Sequence, residues 1–215
     1  MSILRPQKTL FKELRKVENI LEEIKINEEL EDITLENYKV EDIEFSEINI
    51  EKAIISNTDI LSSNLEKNSF TDVEFKNCNF SNTSFEKCSF VRCEFNNCKM
   101  TGCNFIDSRL YNVSFIETNA NYCNFSLASI ENTAFDNTGL RNSMFQENRL
   151  KNIILRQTDF TQAQVFKTSL NGIDFSDSII EGIAVSSEDI KGAIVGQFQA
   201  IDFLYLLGVK IRFDK

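Results

Sequence analysis

An apolar residue, nearly always a large one, recurs at every fifth position from Leu30 to Val195 without interruption. All 34 positions of this column are apolar, and they hold 14 of the chain's 19 Phe. A helix of period 3.6 or a strand of period 2 would scatter these residues over opposite faces, so neither can be the organising element. Two residues before the large column runs a second one of mostly small side chains: Ala53, Thr58, Ser63, Cys78, Thr83, Cys88, Cys93, Cys98, Cys103, Ser108, Val113, Thr118, Cys123, Ala128 and Thr133. All six Cys lie in it. Two residues after the large column, a third holds ten Asn and four of the seven Gly, the residue types that best tolerate positive φ. Each five-residue unit therefore supplies one large inward residue, one small inward residue and one corner.

Units such as Cys78-Asn79-Phe80-Ser81-Asn82 and Thr158-Asp159-Phe160-Thr161-Gln162 resemble the pentapeptide repeat, and the resemblance covers about 170 residues. It implies an all-β solenoid, a right-handed quadrilateral β-helix with four units to a coil. Such coils stack at the strand spacing, so about 8.5 coils give a rod of roughly 41 Å. The division expected is an N-terminal helical cap over 1–27, a β-helix over 28–197 and a C-terminal helix and strand over 198–215.

The open ends of a solenoid are templates for aggregation unless covered. Leu10, Leu14, Val17, Leu21 and Ile24 form a one-sided apolar stripe, which predicts a helix over 7–27 that either caps the rod or binds a partner. At the other end a helix is expected over Gln197 to Leu207, stopped by Gly208, with Val209, Ile211 and Phe213 alternating as a short strand. Phe198, Ile201, Phe203, Leu204, Tyr205, Leu206 and Leu207 are more apolar surface than one rod end needs, which points to a homodimer interface, the other reading being a monomer with a thick cap. The order Gly192-x-x-Val195, Gln199-Ala200, Leu206-Leu207-Gly208-Val209-x-Ile211 resembles the C-terminal module of the Qnr-type and MfpA-type quinolone-resistance group. In that group this module forms the dimer.

The chain has no His and no Trp, which excludes His-based catalytic dyads and His-ligated metals. Cys88, Cys93, Cys98 and Cys103 stand five residues apart, whereas structural zinc wants close pairs such as Cys-x2-Cys. No metal and no cofactor is expected. Cys78 with Cys98, and Cys103 with Cys123, are one coil apart and within reach of a disulfide, yet the reading preferred is six reduced thiols acting as small buried hydrophobes. No phosphate loop, glycine fingerprint or nucleophile elbow is present, and a convex rod offers no cleft for paired carboxylates, so an enzyme is not expected. The first thirty residues are charged and the longest apolar run, Phe203 to Leu207, is too short to span a bilayer. A cytoplasmic protein without membrane contact is expected.

The net charge of -10 argues against direct nucleic-acid binding. The acid is uneven. Residues 28–60 carry eleven acidic residues against Lys39 and Lys52, among them Glu36, Glu41, Glu44, Glu47 and Glu51. One reading is solubility, since like charge opposes association of a strand stack. The family resemblance implies another: rods of this kind mimic DNA, bind DNA gyrase or topoisomerase IV and modulate them or protect them from quinolones. This chain lacks the loop insertions of many Qnr-type rods, so protection follows less directly than binding. The alternative is a structural or regulatory scaffold with an unrelated protein partner, because the repeat specifies a fold rather than a task.

Overall fold

A computed structural model describes Ile3, residues 13–210 and Arg212, and for Leu207 only the backbone. The chain winds into a parallel β-solenoid of about 9 turns. Partners in adjacent coils are twenty residues apart: Leu30 pairs with Ile50, Ile50 with Phe70, Phe70 with Phe90, Phe90 with Leu110, Leu110 with Ile130 and Ile130 with Leu150. Twenty residues are four units, so the rod has four sides. We number them by their large columns: the first contains Leu30 and Ile50, the second Leu35 and Ile55, the third Val40 and Ile60, the fourth Phe45 and Leu65. Eight-residue strands such as Glu29–Glu36, Asn49–Ser56, Ser69–Lys76, Ser129–Asp136 and Arg149–Arg156 cross the first two sides. The other two sides hold three-residue strands and single bridges.

None of the 34 large-column residues is exposed, and those from Ile50 to Phe145 are all buried. The corner column is left-handed at every position from Asp32 to Gly172, including residues such as Leu127 (φ 64) and Tyr122 (φ 61) that carry a conformational cost there. The small column has a role beyond size. Cys88 Sγ donates to the Leu65 carbonyl at 2.9 Å, Cys103 Sγ to Phe80 at 2.9 Å, Ser108 Oγ to Phe85 at 2.7 Å and Thr158 Oγ1 to Phe135 at 2.9 Å. Each small donor thus ties its coil to the carbonyl of a large-column residue below.

The rod opens at one seam. No backbone hydrogen bond joins 149–156 to 169–176 on the first two sides, whereas Asp159 still bridges Ile179 on the third and Gln164–Phe166 still pairs with Ala184–Val185 on the fourth. Leu150, Ile153 and Leu155 are only half-buried there, beside a wholly apolar cavity of about 20 Å³ that also touches Leu170 and Phe175. The cause lies in the small column, where Ile153 and Ile173 occupy consecutive coils. Two branched side chains in a column built for Cys, Thr or Val overfill the interior and wedge the coils apart.

The N-terminal cap differs from expectation. Within 13–27 the chain forms a strand, Arg15–Val17, and a five-residue helix, Ile20–Ile24; residues 7–12 lie outside the described residues. Arg15–Val17 pairs in parallel with Ile33–Leu35, so the edge of the first coil captures this segment as a strand and tertiary pairing overrides the helical pattern. The helix starts where Asn19 Oδ1 accepts from Leu21 N at 3.1 Å, and Tyr38 Oη donates to the same oxygen at 2.8 Å. At the other end the helix expected over 197–207 is two short pieces, an α-turn over Gln199–Asp202 and a 3₁₀ turn over Leu204–Leu207, ended by left-handed Gly208 (φ 70). Val209 is not in a strand, and Ile211 and Phe213 lie outside the described residues.

Candidate partner-binding surface

In most units the residues just before and after the large one point outward, and so does the corner, with buried exceptions such as Asp72, Glu74, Glu94 and Asn112. The five carboxylates singled out from the sequence all occupy such positions, on different sides. Glu51 lies on the first side, Glu36 on the second, Glu41 on the third, and Glu44 and Glu47 on the fourth and its corner. All are exposed except Glu51, which is half-buried and accepts from Asn49 Nδ2 at 3.2 Å. The acid therefore rings one end of the rod. Over residues 28–197 the four sides carry net charges of -3, -5, -2 and -3, so no side is a continuous acidic stripe.

Ion pairing sharpens the contrast between the ends. Of the fourteen basic residues in 28–197, eleven pair with a carboxylate of the same rod, mostly one coil away, as in Lys151 with Glu131 at 2.6 Å and Lys167 with Glu147 at 2.8 Å. Within residues 28–60 only Lys39 and Lys52 are available, pairing with Asp59 and Glu31. Residues 141–167 reverse the sign, with five basic and two acidic residues. Reading the sequence by spacing alone missed a buried polar group at the corner between the first two sides. There Arg92 binds Asp72 through Nε at 2.8 Å and Nη2 at 2.6 Å, and Glu74 stacks beneath Glu94, both nearly inaccessible. The bidentate contact with Asp72 is the main influence holding Arg92 above the ordinary guanidinium range.

The C-terminal segment splits its apolar residues. Phe203 and Leu206 pack on the core and Leu204 is half-buried, while Phe198, Ile201 and Tyr205 are exposed, Phe198 by 77%. Gln199 anchors the segment: its Nε2 donates to the Phe175 and Ser178 carbonyls at 2.9 and 2.6 Å, and its Oε1 accepts from Gly196 N at 2.7 Å. The fourth side holds a surface the sequence reading did not single out. Its ten outward residues before and after the large column from Asn104 to Ser186 carry no charge, and Met144, Phe166 and the corner residues Tyr122 and Leu127 are exposed.

All six cysteines are buried. Burial pushes the Cys88 and Cys93 thiols up to about 12, and the Cys103 thiol is likewise raised, first by burial and then by its hydrogen bond with Cys123. Among the described residues no three or more potential ligands gather as a metal would require, and no helix is long and apolar enough to cross a membrane.

Comparison with known proteins gives matches at the level of family and fold. The pentapeptide repeat region pattern matches residues 68–140 and 88–165, and the pattern of eight pentapeptide repeats matches residues 43–82. A comparison with curated proteins finds no match. Among solved structures, a trypsin-treated variant of QnrB1, a plasmid-mediated fluoroquinolone resistance protein, is 16% identical over 86% of this chain and 100% of its own, with a TM-score of 0.32. HetL, a pentapeptide repeat protein involved in heterocyst differentiation regulation from the cyanobacterium Nostoc sp. strain PCC 7120, is 15% identical over 79% and 90%, with a TM-score of 0.36. A pentapeptide repeat protein of the Arabidopsis thaliana thylakoid lumen is 21% identical over 39% and 55%, with a TM-score of 0.30.

Proposed function

From the premise that this chain belongs to the pentapeptide repeat proteins, we propose that it is a non-enzymatic binding rod whose acidic N-terminal end docks on a basic protein surface that otherwise holds DNA. The observation carrying this is the ring formed by Glu36, Glu41, Glu44 and their neighbours. Residues 28–60 make fewer than two coils, about 8 Å of rod, and carry net -9, where B-DNA of that length carries about five charges. The remaining 33 Å or so carries net -4 against about nineteen for DNA, so likeness to DNA is confined to the end. The partner this reading names is a type II topoisomerase, DNA gyrase or topoisomerase IV, met end-on rather than along the rod. The sequence resemblance to the Qnr-type group supports that choice of partner. Gyrase supercoiling, and fluoroquinolone-stabilised cleavage, measured with and without the protein are expected to change. No effect on either would overturn the reading.

The exposed Phe198, Ile201 and Tyr205 support a two-fold dimer through the C-terminal module, placing an acidic end at each tip of the assembly. At physiological salt, light scattering is expected to give twice 24.7 kDa, and a chain-sized particle at micromolar concentration would refute the dimer.

The uncharged face of the fourth side between its corners, from Asn104 to Ser186, favours a second reading, a scaffold for an unrelated protein. Under it, replacing Met144 and Phe166 with Asp abolishes partner binding, whereas under the first reading the effect on gyrase is untouched.

A further inference from the structure

The first side of the rod is self-complementary. Its outward residues stack in an unbroken ladder: Glu29 over Asn49, Ser69, Ser89, Arg109, Ser129 and Arg149, and alongside them Glu31, Glu51, Thr71, Val91, Tyr111, Glu131 and Lys151. One end of this ladder is acidic, the other basic, and between them small or neutral residues predominate, with Glu51, Arg109 and Glu131 the charged ones. Among the described residues Arg109 and Arg149 have no carboxylate partner, unlike most of the rod's basic residues; Arg109 lies 5.4 Å from the Tyr111 ring instead. Lys151 binds Glu131, and Glu31 binds Lys52.

We propose that this side binds a second copy of the chain, antiparallel, about a two-fold axis passing through Ser89 and Val91. Glu29 and Arg149 lie equally far from Ser89, three coils to either side, as Glu31 and Lys151 do from Val91. The axis therefore brings Glu29 of each copy against Arg149 of the other and Glu31 against Lys151, while Ser89 and Val91 meet their own counterparts. Ser69 and Thr71 face Arg109 and Tyr111, leaving room for the two longer side chains, and Asn49 faces Ser129, while Glu51 faces Glu131, a like-charge contact that the four ion pairs at the ends outweigh. A parallel pair would instead set the acidic ends together. Seven coils give a contact about 34 Å long and at most about 16 Å wide, roughly 1,000 Å² in total from both copies. That is the low end for a specific interface, so the association is reversible and sensitive to salt. It leaves Glu36, Glu41 and Glu44 on the other sides free, and it does not depend on the topoisomerase reading.

Sedimentation velocity of the full chain at low and at physiological salt tests the proposal, with circular dichroism to confirm that each variant is folded. Association beyond the C-terminal dimer is expected at low salt and weakens as salt rises. Glu29→Lys with Glu31→Lys, and separately Arg149→Glu with Lys151→Glu, each weaken it about tenfold, since each removes four ion pairs per dimer. An equimolar mixture of the two variants associates again, because their ends are then complementary. Ser89→Cys places one exposed thiol at the axis, and oxidation is expected to give a covalent dimer at low salt. A dimer through the C-terminal module keeps these positions far apart and gives none. A chain with no salt-dependent association, a mixture that fails to recover, or a Ser89→Cys variant that does not cross-link would overturn the proposal.

Discussion

Phe75 lies flat against Phe95 one coil above it, with ring centroids 4.6 Å apart and planes within 7° of parallel. Phe95 stacks in turn on Phe115 at 5.0 Å and 4°, and Phe115 on Phe135 at 5.0 Å and 4°. Between sides the contacts turn edge-on, as between Phe90 and Phe95 at 5.6 Å and 60°. Phe95 thus touches rings above, below and beside it, and it cannot be removed without leaving those neighbours facing a void. Phe95→Ala is expected to cost about 3–5 kcal/mol, read as a lowered denaturation midpoint at an unchanged slope. Phe95→Asp buries a carboxylate in the same place and is expected to abolish folding, seen as loss of the β-sheet dichroism.

The small column makes a different demand. Cys103 Sγ donates to the Phe80 carbonyl at 2.9 Å beside Thr83 N at 3.0 Å, so Cys103→Ala removes one of two bonds to that acceptor and is expected to cost about 0.5–1 kcal/mol, while Cys103→Thr, which keeps a donor, costs less. The thiols also report on pH. Burial raises Cys88 and Cys93 from 9.0 to about 12, so the folded chain holds protons that the unfolded chain releases. Their contribution is intact below pH 9 and is lost as pH rises from 9 toward 12. Alkylation in mild alkali is expected to modify few thiols in the native protein and six after denaturation, and rapid native labelling at Cys88 or Cys93 would contradict this burial.

The seam should be visible to hydrogen exchange. Ile130, Asn132 and Phe135 lie in a coil paired to the one above, whereas the corresponding Leu150, Asn152 and Leu155 face 169–176 with no backbone bond between them. Amides of the second set are expected to exchange about tenfold faster or more. Ile153→Thr relieves the overfilled column and should slow them. Equal protection in both sets would show that the coils close in solution.

Much of this was readable from spacing. A period of five fixes the inward column because one register serves the whole rod, and the corner column follows from where Asn and Gly gather. The ring of acid was also within reach, since residue numbers modulo twenty assign Glu36, Glu41 and Glu44 to three different sides once four units are known to close a coil. The seam was signalled by Ile153 and Ile173 standing where Cys, Val and Thr stand earlier, but column size matters only against the coil next to it. The cap was misread because Val17 fits a helical stripe equally well, and only the unpaired edge at Ile33–Leu35 decides that Arg15–Val17 becomes a strand. The donor role of the small column was invisible, because its acceptor lies 23 residues earlier.

Charge at the acidic end gives the sharpest test of the function proposed. Glu36, Glu41 and Glu44 are exposed, sit beside the inward Leu35, Val40 and Phe45, and make no ion pair among the described residues, so reversing them disturbs no packing. Glu36→Lys, Glu41→Lys and Glu44→Lys together change the net charge of 28–60 from -9 to -3. If a basic groove is the partner, attraction is largely Coulombic, so the association rate falls steeply between low and physiological salt for the natural chain. The triple variant should bind at least about tenfold more weakly at low salt and show a shallower salt dependence, with its thermal midpoint unchanged because exposed charges contribute little to stability. Surface plasmon resonance against gyrase over a salt series measures both slope and affinity. Binding that ignores salt and the triple substitution alike would remove the electrostatic basis of the reading and leave the uncharged stretch of the fourth side around Met144 and Phe166 as the surface to pursue.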